Sequence, residues 1–264
     1  VTLSGVRAHP LLEHPIVSSN TILGATTGSR FVSVDDGLVA KLAEDWSNGR
    51  KVIAEFVSGP LEYRYYTRMR ELGRVQGGAA YAQSACAGAP QLLVNVTPPE
   101  AGSEFAVGMG GDWNALPRVP KRVTGQAYEA AVRNALERLQ KPDLPLKIEY
   151  ADELDLDGDG SLEAVVFARS LTLKRKEAIA TLNEYDEQKT YALIALVREG
   201  KLGGVVTAWT KGLMSEYDLS YLDANGDGRQ EIFVLESYHE GHSITIYSLE
   251  GTGTRAELSG GCSI

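Results

Sequence analysis

A mainly β fold with a few helices (α+β) is what the sequence predicts, on three observations. From residue 146 onward the chain is a succession of short apolar runs separated by tight-turn residues. Two segments rich in Asp and Gly, 155–163 and 223–231, each pass directly into one of those runs. Helical spacing of apolar residues is confined to a few stretches, the clearest over 124–140.

The elements follow in chain order. Residues 1–32 are turn-rich, with one strand expected at 20–25. Ser33-Val-Asp-Asp36 has the form of a helix start, and Leu38, Val39, Leu42, Ala43 and Trp46 continue at helical spacing as far as Asn48-Gly49. Strands are expected at 51–57 and 61–67, on either side of Ser58-Gly59-Pro60, and at 91–96 before Pro98-Pro99. Alternation puts Tyr63 and Tyr65 on one strand face and Tyr66 on the other, as half-buried packing. The Gly- and Pro-rich stretch 100–121 reads as loop, with a short strand at 105–109, a surface loop over 108–113 and Trp113 packing inward.

Over 124–140, Tyr128, Ala131, Val132, Ala135, Leu136 and Leu139 form one apolar stripe, with Thr124 as N-cap and Pro142 as the stop. This helix divides the chain into a β-rich N-terminal domain of unknown role, 1–121, and a second domain, 122–264, in which strands dominate. Strands are expected there at 146–154, 163–173, 190–198, 204–209, 218–222, 231–238, 243–249 and 254–258. The charged stretch 174–189 interrupts them as an exposed hairpin or a short helix.

Composition narrows the function classes. The 264 residues carry a formal net charge of -9, which argues against a nucleic-acid or anionic-membrane binder. No apolar run reaches the roughly 18–20 residues that a membrane span needs. The chain starts at Val1, which implies that something was removed, either a signal peptide or a leader added for expression; the first is the expectation, with an extracellular or periplasmic location. In an oxidising compartment Cys86 and Cys262 can form one disulfide; otherwise they are two buried thiols.

The two Asp-rich segments carry the chemistry. Leu-Asp-Leu-Asp-Gly-Asp-Gly-Ser-Leu-Glu over 154–163 and Leu-Asp-Ala-Asn-Gly-Asp-Gly-Arg-Gln-Glu over 222–231 share one pattern, 68 residues apart. Oxygen donors at alternate positions of a tightly curled loop converge on a point, and calcium takes about 6–8 oxygen ligands. Gly160 and Gly228 permit the sharp turn. Asp155, Asp157, Asp159 and Glu163 are the expected side-chain ligands of one Ca2+, with the Ser161 carbonyl. Asp223, Asn225, Asp227 and Glu231 are those of the second, with the Arg229 carbonyl. Carboxylates packed this closely repel one another without a counter-ion.

An EF-hand loop opens identically but needs a bidentate Glu at position 12 and flanking helices. Val166 and Val234 stand there instead, in strand-like sequence. With the acid at position 9, the pattern resembles the integrin-type FG-GAP/VCBS repeat, in which a calcium loop joins two strands of a propeller blade. That family favours Asp at the ninth position, where this chain has Glu twice. The resemblance covers roughly 146–258 and implies two blade-like antiparallel units packed with the 124–140 helix.

Other constellations are weaker. His239 and His242, with Glu236 and Glu240, straddle a hairpin tip and read as turn polarity. No nucleophile elbow, zinc-protease helix, phosphate loop or dinucleotide fingerprint is present. The expected function is a secreted, non-enzymatic calcium-binding module of the adhesion type, with calcium structural and a protein or cell-surface partner. The alternative is a secreted hydrolase in which calcium is only a staple.

Overall fold

The computed structural model describes residues 14–18, 21–34, 61–68, 70–78, 80–85, 89–99, 106–112, 115, 117–170, 191–209, 214–238 and 241–263. The helix expected over 33–49 from residue 35 onward, the strand over 51–57, the charged stretch 174–189, Trp113, His239 and Cys86 lie outside them, and Cys262 is described in its backbone alone. The expected disulfide therefore lies outside the described residues too. The fold is mainly β, with one α-helix and three antiparallel sheets among the described residues, none of them closed. The chain divides into two compact units, Val1–Ala115 and Leu116–Ile264.

Among its described residues the first unit holds eight strands: β1 (His14–Ser18), β2 (Thr21–Thr27), β3 (Arg30–Ser33), β4 (Glu62–Tyr66), β5 (Glu71–Gln76), β6 (Ala80–Ala85), β7 (Ala89–Val94) and β8 (Val107–Gly110). They form one sheet in the order β5-β4-β8-β1-β2-β7-β6, with β3 also paired to β2. The turn-rich expectation is thus corrected for the described residues 14–18 and 21–32, where the strand expected at 20–25 is joined by β1 and β3. Ile16, Val17, Ile22, Leu23 and Ala25 are buried, so these strands are core. Ser33 ends β3 opposite Gly24.

The surface loop expected at 108–113 is corrected at residues 108–110. Gly108 and Gly110 belong to β8, which runs between β4 and β1. Their missing side chains make room for aromatic rings. A Cβ on Gly108 would stand 2.7 Å from Tyr65 Cζ, and one on Gly110 would stand 3.0 Å from Tyr63 Cε1. Tyr63, Tyr65 and Tyr66 are fully buried, beyond the half-burial that alternation suggests, and Tyr63 and Tyr65 join the core of this unit.

The second unit begins with β9 (Lys121–Val123), a 3-10 turn (Gln126–Tyr128) and α1 (Glu129–Arg138). Thr124 is not the cap: Gly125 has φ 75, which no first helical residue adopts, and the helix proper starts at Glu129. Its end is a Schellman closure, in which Gln140 takes φ 59 and the Lys141 N–H donates to the Leu136 carbonyl at 2.8 Å. The helix stops before Pro142 is reached.

Two strand meanders follow. The first comprises β10 (Ile148–Leu154), β11 (Glu163–Arg169), β12 (Ala192–Arg198) and β13 (Lys201–Trp209). The second comprises β14 (Met214–Leu222), β15 (Glu231–Tyr238), β16 (Gly241–Glu250) and β17 (Gly253–Ser263). Each strand pairs with the next, and β9 extends the first sheet beside β10.

Strand alternation gives the first sheet two apolar faces. Ala151, Ala164, Val166, Leu193 and Ala195 on one face pack with Ala131, Val132, Ala135 and Leu136 of α1. Val165, Phe167, Ile194 and Leu196 on the other face pack with Tyr217, Leu219, Ile232 and Val234 of the second sheet. The unit is therefore layered helix, sheet, sheet. At its edge, Arg122 forks onto the fully buried Asp152 at 2.8 and 2.9 Å. Tyr221 donates to the same carboxylate at 3.1 Å, and the guanidinium lies 3.5 Å from the centre of the Tyr150 ring.

Candidate metal centre

Both Asp-rich segments are the loops that connect the first and second strands of their meanders. Each is plugged into the core by its second residue: Leu156 and Ala224 are fully buried. The first, third and fifth residues then face the loop interior through a fixed set of hydrogen bonds.

In the first loop, the two Asp155 oxygens accept the N–H groups of Gly158 at 2.7 Å and Gly160 at 3.1 Å. Asp157 accepts from the Asp159 N–H at 3.3 Å, and Asp159 from the Ser161 N–H at 2.6 Å. The second loop repeats every bond. Asp223 accepts from Gly226 at 2.7 Å and Gly228 at 3.1 Å, Asn225 from Asp227 at 3.1 Å, and Asp227 from Arg229 at 2.9 Å. The chain can curl this tightly because four glycines take left-handed conformations. Gly158 and Gly226, with φ 79 and 73, do so alongside Gly160 and Gly228, with φ 88 and 85.

The ninth residues have a role that the motif did not reveal. Glu163 Oε2 accepts the Leu156 N–H at 2.9 Å, and Glu231 Oε2 accepts the Ala224 N–H at 2.7 Å. One carboxylate oxygen of each Glu thus staples its loop shut and leaves the other oxygen for a further partner. Both side chains are buried. Burial, opposed by the Leu156 N–H and reinforced by Asp157 and Asp159, raises the Glu163 carboxyl above its usual range. Burial, reinforced by Asp227 and Asp223, pushes Glu231 up to about 8. On the exposed side, Asp159 is held below the usual range, chiefly by the Ser161 N–H.

The three aspartates of the first loop fit a hard divalent cation. Ligand oxygens of Asp155, Asp157 and Asp159 lie within 4.8 Å of one another. Calcium–oxygen contacts of about 2.4 Å put diametrically opposed donors about 4.8 Å apart, so one ion can touch all three. The second loop offers an amide oxygen, Asn225, at the matching third position. No sulfur or imidazole is among the ten expected ligand residues, which matches calcium rather than zinc. Ser161 and Arg229 are exposed, and their N–H groups close the fifth-position turns.

The loops are adjacent. The Gln230 N–H donates to the Leu156 carbonyl at 2.7 Å, and a Cβ on Gly158 would stand 3.4 Å from the Gly228 carbonyl oxygen. Sequence reasoning also missed Arg198, at the end of β12. Its guanidinium pairs with Asp157, approaches Glu163 Oε1 at 3.5 Å and donates to the Gly251 carbonyl at 3.0 Å. Its signal was a lone Arg closing an apolar strand, 41 residues from its partner.

Among the remaining candidates, His242 is exposed in β16, and His14 of β1 lies 3.3 Å from the Gly110 carbonyl oxygen through Nδ1. Neither joins a cluster of possible metal ligands among the described residues. Compared with known proteins, the chain matches no family model, and no curated protein or solved structure resembles it significantly.

Proposed function

We propose that the loops 155–163 and 223–231 each bind one calcium ion, and that the ions hold together the two sheets of the second unit. The observation that carries this reading is the duplicated loop. Two segments 68 residues apart keep oxygen donors at the same positions, the same turn glycines and the same hydrogen bonds. A hairpin turn needs none of this convergence. Carboxylates drawn together around one point also raise one another's affinity for positive charge.

On this reading each meander is a blade-like unit resembling an FG-GAP/VCBS repeat, with its calcium loop between first and second strands. The ion is structural, and the protein acts outside the cytoplasm as a non-enzymatic binding module for a protein or cell-surface partner. Extracellular calcium modules bind with dissociation constants of about 10⁻⁴–10⁻³ M. Calcium at about 100 times that constant stabilises the folded state by about 2.7 kcal/mol per site.

Thermal melting in excess calcium and in EDTA tests the proposal. Chelation is expected to lower Tm by several degrees, calcium to restore it, and elemental analysis to find two calcium ions per chain. Identical melting curves together with a metal-free protein would remove calcium from the account.

A further inference from the structure

The two loops differ in one place that bears on the ion. The third position is Asp157 in the first loop and Asn225 in the second, so the first loop carries one more carboxylate. That additional carboxylate is the one Arg198 holds. The strand register shows that the second meander has no matching guanidinium. Ala164 pairs with Val197, which sets Glu163 beside Arg198; Ile232 pairs with Tyr247, which sets Glu231 beside Ser248. Ser248 directs its hydroxyl to Glu257.

Arg198 is firmly placed. Its Nη1 is held by the Gly251 carbonyl in the turn between β16 and β17, and its side chain is 24% exposed. The other two nitrogens face Asp157 and Glu163, both expected ligands of the same ion. Two side chains that can each place a donor on calcium are therefore engaged by one fixed positive charge.

We propose that Arg198 is a built-in competitor of the ion in the first loop. Calcium enters there by drawing Asp157 away from the guanidinium, and the loop binds more weakly than its own donors allow. The proposal rests on the loops being calcium sites and adds a residue that sets their unequal strength. A fixed unit charge a few ångströms from a doubly charged ion is expected to weaken binding about tenfold in a largely solvated loop.

Calorimetric titration of the full chain with calcium chloride tests it. One background silences the second loop (Asp223→Asn with Asp227→Asn), and another silences the first (Asp155→Asn with Asp159→Asn). With the second loop silenced, Arg198→Gln is expected to lower the calcium Kd about tenfold. Arg198→Lys, which keeps the charge, should stay close to the unsubstituted value. With the first loop silenced, Arg198→Gln should change nothing. A Kd that is unchanged or raised in the first background, or lowered equally in both, overturns the proposal while leaving calcium binding intact. A chain with both loops unaltered that takes up no calcium overturns the parent reading and this one together. Should Arg198→Gln fail to fold, the Arg198 Nε–H resonance of the unsubstituted chain serves instead: it should move as calcium saturates the first loop, and a stationary signal overturns the proposal.

Discussion

A single buried carboxylate shows how much one side chain can decide in this protein. Asp152 is fully buried, and it is tolerable there because Arg122 satisfies both oxygens and Tyr221 adds a third hydrogen bond. Breaking a buried pair from one side leaves the other charge without its partner, at a cost of about 3–5 kcal/mol. Arg122 is 37% exposed and can turn to water, so Asp152→Ala is expected to lose about 3 kcal/mol, measured as a shifted denaturant midpoint. Nothing in the sequence pairs these residues. They lie 30 positions apart, and only the antiparallel register of β9 with β10 sets them opposite each other. Arg198 was hidden for the same reason. A strand-end Arg becomes a loop partner only after β12 has docked beside β11.

Elements were more legible where the local pattern and the tertiary packing agree. The strand expected at 231–238 coincides with β15, and β10, β12 and β16 fall within two residues of their expected spans, because apolar residues recur along each of them between turn residues. The strands β5, β6 and β9 were not anticipated. Their short sequences, Glu-Leu-Gly-Arg-Val-Gln, Ala-Tyr-Ala-Gln-Ser-Ala and Lys-Arg-Val, lack a full apolar run, and neighbouring strands hold them in place. In the loops, the alternating acids were readable, but the burial of the second residue was not. Two leucines of the first loop separate these contributions. Leu156 is fully buried between the sheets and Leu162 is 59% exposed. Leu156→Ala is expected to cost about 3 kcal/mol of unfolding free energy. Leu162→Ala should change it by less than about 0.5 kcal/mol, although both positions sit beside acidic ligands. Equal effects in chemical denaturation would contradict the anchoring role given to Leu156.

Over the whole molecule, the tyrosines set a limit at high pH. Burial raises the phenol of Tyr63 to about 12 and raises those of Tyr65, Tyr217 and Tyr221 as well. A phenol that ionises less readily when folded leaves stability intact below the ordinary value of about 10 and erodes it as pH climbs from there towards 12. Absorbance at 295 nm should therefore show these tyrosines titrating together with unfolding, in one steep step above pH 10. A gradual titration with the fold retained would contradict their burial. At this scale the sequence disclosed a mainly β chain with a helix ahead of two similar meanders. It did not disclose the eight-stranded first sheet, because strand order there depends on partners far apart in sequence.

That strand order governs when each unit can be completed during synthesis. Within β10–β13 and within β14–β17 every strand meets its predecessor, so each meander of the second unit can grow hairpin by hairpin as it leaves the ribosome. The first unit has no such freedom. Ile16 of β1 lies opposite Met109 of β8, and β8 also joins β4, so its centre stays unpaired until the segment around residue 110 has been made. Until then β1 and β4 present open edges to other chains, and a ribosomal pause before that point would lengthen the interval in which they can aggregate.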